Sequence, residues 1–250
     1  MEEKREKMRI LDAGCGRGFL IKDELMKKGE CFGIDPNAKF IREAKRNVKK
    51  GKFFVGGIEK IRFENEMFDE AYCYDVLEHV DDYEKSIKQL HRVLKKSGKL
   101  YILIPHFRSE SVLKKIKPSY FSKNMHKRIF YPKKIRISLM KDGFKIIKMR
   151  DREFFRALRA TYMFLRKLPY EEHSGLPVKE DIVTYLVYFL SAIFELRQPK
   201  LKGELKRRRL YYLYPFITFL RIVLYPLRLI TLILDNIYPK STYIEAEKLR

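Results

Sequence analysis

Arg9-Ile10-Leu11-Asp12-Ala13-Gly14-Cys15-Gly16-Arg17-Gly18 decides the fold: an apolar run ends in an acid and then in three glycines at alternate positions. Such a run is a buried strand feeding a tight turn. Glycine accepts positive φ and leaves no Cβ between backbone and ligand, and a helix that follows directs its unpaired N–H groups at the turn. The apolar positions Phe19, Leu20, Ile21, Leu25 and Met26 fall at helical spacing, and Gly29 closes that helix. A second apolar run, Cys31-Phe32-Gly33-Ile34, ends in Asp35-Pro36. In a parallel β-α-β unit the tip of the second strand lies beside the glycine turn, about 20 residues on, where a carboxylate can accept hydrogen bonds from two ribose hydroxyls. The glycines and Asp35 together predict a nucleotide-type site in an α/β fold.

The pattern is Gly-x-Gly-x-Gly preceded by Asp12, whereas a dinucleotide turn prefers Gly-x-Gly-x-x-Gly. In this the chain resembles the class I S-adenosylmethionine-dependent methyltransferases. Leu11 to Gly18 looks like their first motif and Gly33-Ile34-Asp35-Pro36 like their second. Phe68 to Val80 looks like their fourth strand and the loop after it, and His91 to Ile102 like the next helix, turn and fifth strand. The resemblance implies a Rossmann-like, doubly wound, mostly parallel seven-stranded sheet with S-adenosyl-L-methionine as cofactor. By position it also implies that Gly14, Gly16 and Gly18 lie under the methionine part and that Asp35 holds the ribose, with Asp12, Cys15 and Pro36 also binding the cofactor. Tyr74 and Asp75 would sit beside the sulfonium and the amino group. Relatives often carry an acid after the third strand to contact adenine; here Phe54-Val55-Gly56-Gly57-Ile58 leaves that contact to backbone groups around Gly57 and Ile58.

The resemblance thins after the fifth strand. It returns weakly at His126 to Pro132 and at Asp142 to Ile147, and Thr242 to Lys248 alternates as a last, antiparallel strand would. The expected organisation is a core over 1–151, a basic and apolar helical appendage over 152–241, and a final strand over 242–250. Charge divides the same way: of the net +23, residues 1–105 contribute +4 and residues 106–250 contribute +19. The three cysteines, Cys15, Cys31 and Cys73, lack disulfide or metal spacing, which points to a reducing, cytoplasmic compartment and to no metal.

The appendage holds two apolar stretches, Ile182 to Phe194 and Leu210 to Ile237. The first is short for a bilayer, and the second is interrupted by Arg221, Arg228 and Asp235, with Pro215 and Pro226 as kinks or starts. Charges spaced by sevens form one polar stripe on a helix, and two arginines near the middle of a span would each cost about 2.5–3.5 kcal/mol. These features predict a helix lying in the membrane interface, anchored to anionic head groups through Lys206 to Arg209. Packing of both stretches as a soluble helical cap over the active site is the plain alternative. Strong positive charge with interleaved aromatics also fits an RNA methyltransferase, although no Asp-Pro-Pro-Tyr or Asn-Pro-Pro-Tyr segment is present. A non-catalytic binding module fits less well, because the glycines and Asp35 are intact.

Methyl transfer needs a base only when the acceptor loses a proton. His79, after the fourth strand, and His106, after the fifth, are the candidates; His126 and His173 read as loop residues. The acceptor expected is a lipid-linked or apolar small molecule such as a quinone, isoprenoid or glycolipid intermediate, met on the cytoplasmic face of a membrane.

Overall fold

The computed structural model describes residues 7–116, 118–119, 121, 126–165, 190, 214–224 and 228–249. Seven strands form one sheet: β1 Arg9–Ala13, β2 Glu30–Asp35, β3 Lys52–Val55, β4 Phe68–Tyr74, β5 Leu94–Pro105, β6 Phe144–Arg152 and β7 Ser241–Lys248. Their order is β3-β2-β1-β4-β5-β7-β6, and the four pairings among β1 to β5 are all parallel. Past the end of β7, the Leu249 N–H bonds to the Gly143 carbonyl, just before β6, so these two strands run in opposite senses. The chain order reverses between β1 and β4, which is where open α/β sheets form a crevice beyond the carboxyl ends of their strands.

Period-two alternation explains the two layers. Leu11, Phe32, Ile34, Phe68, Ala71, Cys73 and Ile102 pack on one face with Ile87 and Leu90 of α3 (Tyr83–Val93) and with Ile135 and Leu139 of α5 (Pro132–Lys141). Ile10, Cys31, Phe53 and Tyr72 pack on the other face with Ile21 of α1 (Phe19–Asp23) and with Ile41 and Ala44 of α2 (Ala38–Asn47). Each large apolar side chain so buried contributes about 1.5–3 kcal/mol. Helix starts are set by caps: the Asn37 side chain accepts from Lys39 and Phe40, Asp82 accepts from Lys85, and Pro132 opens α5, where a missing N–H costs nothing.

Two compact units divide the chain. The first comprises 1–104, 130–150 and 243–250, and the second comprises 105–129 and 151–242. The expected core over 1–151 is therefore too wide, because 105–129 groups with the later residues. In the second unit α4 (Phe107–Ile116) packs on α6 (Phe154–Leu165), with Leu113 and Ala160 fully buried in one cluster. The expected single helix over 210–237 is, in the described residues, two helices, α7 (Tyr214–Val223) and α8 (Arg228–Ile237). Pro215, expected as a kink or start, lies in the first turn of α7, and Pro226 lies outside the described residues. Asp235 does not belong to an exposed stripe: it is buried, and its Oδ1 accepts the Phe154 N–H at 2.8 Å, capping α6. Lys206 to Arg209, His173 and nearly all of 182–194 lie outside the described residues, as do the side chains of Arg221 and Arg228. No helix among the described residues is long and apolar enough to cross a membrane.

Candidate active site

The candidate cofactor residues of the first unit converge where β1, β2 and β4 end. After Ala13 the chain turns sharply: the N–H groups of Gly14 and Cys15 both donate to the Ile34 carbonyl, at 2.8 and 2.9 Å. Gly14, Gly16 and Gly18 have φ of 92°, 49° and 77°, the left-handed region that glycine enters without penalty. A Cβ on Gly14 would collide with the Val76 side chain, whereas one on Gly16 would have nothing within 4 Å. Gly14 is thus a packing requirement, and Gly16 presents bare main chain to open space. Gly18 is the N-cap of α1.

Asp35 bridges turn and strand. Its Oδ2 accepts the Gly16 N–H at 3.0 Å and its Oδ1 accepts the Asn37 N–H at 2.8 Å, so the carboxylate is held in one orientation at the mouth of the crevice. Pro36 and Gly57 are exposed beside it, and Gly56 donates to the Asp35 carbonyl at 3.1 Å. Ile58 buries its side chain in the core, so only its main chain is available to a ligand. Tyr74 is half-buried and meets the Tyr72 ring edge-on at 5.7 Å. Asp75 has φ of 55°, a conformation paid for elsewhere in the fold, and its N–H bonds to the Leu103 carbonyl. A turn over 77–79 follows it, so Asp75 caps no helix and His79 sits on that turn rather than beyond one.

Asp12 is almost fully buried, and among the described residues its Oδ2 has no hydrogen-bond partner. Burial first, and then the nearby Asp35 charge, push its carboxyl up to about 7. Two carboxylates at one strand-end turn create a negative field that favours a cationic ligand. Burial also pushes the Cys31 thiol up to about 11 and raises Cys15 and Cys73 well above the ordinary value, so no thiolate chemistry belongs to this site.

The two histidine candidates differ. His79 is part-exposed, with Nε2 3.9 Å from a carboxylate oxygen of buried Glu78. His106 is buried within the second unit: its Nδ1 accepts the Arg108 N–H at 3.2 Å and its Nε2 lies 3.3 Å from Asp151. Burial pushes the Asp151 carboxyl up, but the hydrogen bonds from His106 and Thr242 outweigh it and hold the pKa below the ordinary carboxylate value. Both ring nitrogens of His106 thus have partners, Arg108 and Asp151. His126 is not a solvated loop residue either: it is buried, with Nδ1 2.9 Å from Glu110. Sequence reading missed Val76, the contact that makes Gly14 obligatory, because an apolar residue after an acid carries no signal of its own.

The sheet order and the glycine turn tied to Asp35 are those of a Rossmann-like domain with a nucleotide-type crevice. Residues 11–102 match the methyltransferase domain family, and this part of the chain is such a domain. Among its relatives is YcgJ, a methyltransferase of Bacillus subtilis, 28% identical over 113 residues, 43% of this chain and 44% of that protein. A ubiquinone biosynthesis O-methyltransferase of Pelagibacter ubique is 32% identical over 99 residues, 38% of this chain and 41% of that one. The chain spans about half the length of the relatives it matches. The crystal structure of YcgJ shares the fold at a TM-score of 0.54 and 15% identity, covering 99% of this chain and 94% of that one. A methyltransferase structure from Archaeoglobus fulgidus does so at 0.55 and 16%, covering 96% and 86%.

The residues present fit the family's cofactor. S-adenosylmethionine carries a sulfonium and an ammonium against one carboxylate, which suits the field of Asp12 and Asp35. The open Gly16 main chain, the unpartnered Asp12 oxygen and the oriented Asp35 carboxylate are the surfaces that such a ligand would use.

Proposed function

We propose that the protein transfers a methyl group from S-adenosylmethionine to a lipid-linked or apolar small molecule at a membrane surface. The observation that carries the membrane reading is an exposed apolar face in the second unit. On α7, Phe216, Phe219, Ile222 and Val223 are 54–70% exposed and fall within one third of the helix circumference, while Ile217 on another side is buried. Ile233 and Ile237 repeat the pattern one turn apart on α8. Soluble monomers rarely leave such rows uncovered, and in a chain whose charge excess falls largely after residue 105 an anionic interface is the matching partner. Relatives named for ubiquinone biosynthesis support an acceptor of the same apolar class.

When bound, the cofactor supplies an electrophilic methyl on a positively charged sulfur. Asp35 would accept hydrogen bonds from the ribose hydroxyls, and Asp12 with Asp75 would orient the ammonium. The Gly14 to Gly16 main chain lets the methionine part lie in van der Waals contact. Fixing donor and acceptor at near-attack distance is worth several kcal/mol, and exclusion of water strengthens every charge interaction in the site. Where the acceptor is a hydroxyl, His79, on the turn after β4, is the residue that would take its proton.

The test is incubation of the protein with methyl-labelled S-adenosylmethionine and a membrane lipid extract. Label in the organic phase supports the reading; label only in added RNA or in water-soluble acceptors overturns it.

A further inference from the structure

A groove of about 330 Å³ runs along the end of β3, at the edge of the sheet. It is lined by Lys45 of α2, by Lys60 and Arg62 of the loop after β3, and by Phe53, Phe54 and Phe63. All three cations are exposed, and among the described residues none of their side chains meets a carboxylate or any other hydrogen-bond partner. Some basic side chains elsewhere on this unit do meet an acid, as Arg17 does Glu43, Lys28 Glu70, Lys52 Glu30 and Lys95 Asp69; the groove is distinguished by gathering three cations and no acid around one cavity. No acid lines the groove, while Phe54 and Val55 expose 46% and 53% of their surface into or beside it. Gathering three unmatched like charges costs free energy that an anion would recover, and the exposed aromatic edge suits an apolar body attached to that anion.

The cofactor does not account for this charge. The groove begins at Gly56, which is tied to Asp35, and so lies towards the adenosine end, whereas the one carboxylate of S-adenosylmethionine is at the methionine end. We propose that the basic side of the groove, formed by the side chains of Lys45, Lys60 and Arg62 rather than by the Gly57 main chain, binds a phosphate ester carried on an apolar or aromatic group, at the same time as the cofactor. The source is a soluble aromatic phosphate or the phosphate head group of a lipid. The inference does not depend on which acceptor is methylated.

The experiment uses the full chain saturated with S-adenosylmethionine and two probes: phenyl phosphate by calorimetry, and phosphatidylcholine vesicles with and without phosphatidic acid by co-sedimentation. Saturation with the cofactor keeps phenyl phosphate out of the adenosine site. The variant Lys60→Ala/Arg62→Ala is compared with Lys96→Ala/Lys99→Ala, which removes the same charge elsewhere. The expected result is that the first variant weakens at least one probe ten-fold or more while keeping cofactor affinity and thermal midpoint, and that the second variant matches the wild type. Loss confined to phenyl phosphate identifies a soluble ligand, and loss confined to phosphatidic acid identifies a head group. Binding of neither probe by the wild type, equal loss in both variants, or displacement of phenyl phosphate by the cofactor overturns the proposal.

Discussion

The Gly16 N–H donates to the Asp35 carboxylate at 3.0 Å across 19 residues of sequence, joining the glycine turn to the tip of the second strand. This one bond sets the spacing between the surface that receives the methionine part of the cofactor and the carboxylate that receives its ribose. A bond to a charged acceptor is worth about 1.5–3 kcal/mol, so the two halves of the site are held together before any ligand arrives.

The glycines separate by role. Gly14→Ala must push Val76 aside from a backbone at φ 92°, and thermal unfolding should show a loss of several kcal/mol. Gly16→Ala meets no protein atom within 4 Å, so it should cost only the left-handed penalty of about 1–2 kcal/mol while weakening cofactor binding by at least ten-fold. The reverse ranking would contradict the assignment of Gly16 to the ligand surface.

Asp12 predicts a pH dependence. Its folded carboxyl keeps a proton up to about 7 whereas the unfolded chain releases it near 3.8. The cofactor-free protein therefore loses stability as pH rises from about 4 to about 7 and levels off above that. A cationic ligand favours the ionised carboxylate, so binding should tighten over the upper part of that window and release a proton at pH 6.5, measurable by calorimetry in buffers of different ionisation enthalpy. Asp12→Asn should abolish the release and raise the thermal midpoint of the free protein at pH 8.

Asp235→Ala removes the acceptor for the Phe154 N–H and leaves a buried donor unmet. The expected loss is about 1–2 kcal/mol in chemical denaturation. A change below about 0.5 kcal/mol would show that Asp235 is solvated.

Replacing Phe216, Phe219 and Ile222 together by Ser should leave the thermal midpoint nearly unchanged, because all three side chains are more than half exposed. Co-sedimentation with anionic vesicles should fall at least ten-fold. Retention on vesicles would remove the apolar face as the contact.

The nucleotide half of the fold was legible because its signals are local and covalent in spacing: glycines at alternate positions and Asp35 at a strand tip. Longer-range features were not. His91 to Ile102 was expected to hold a helix, a turn and the fifth strand, but β5 starts at Leu94, directly after the helix, and takes in Lys96-Ser97-Gly98. The turn residues form a bulge inside the strand, between the pairs Phe68–Leu94 and Glu70–Lys99, with Ser97 at φ 60°. Turn chemistry was read correctly and its place in the ladder was not, since register depends on the partner strand. Asp235 misled for a related reason: a polar residue at a surface-like position says nothing about the distant donor that claims it, here Phe154.

The central claim is tested most directly by calorimetric titration of the purified protein and of Asp35→Ala with S-adenosylmethionine. The account predicts one site per chain in the wild type and at least a hundred-fold loss in the variant at an unchanged thermal midpoint. Absence of binding in the wild type, or equal affinity in the variant, would contradict it.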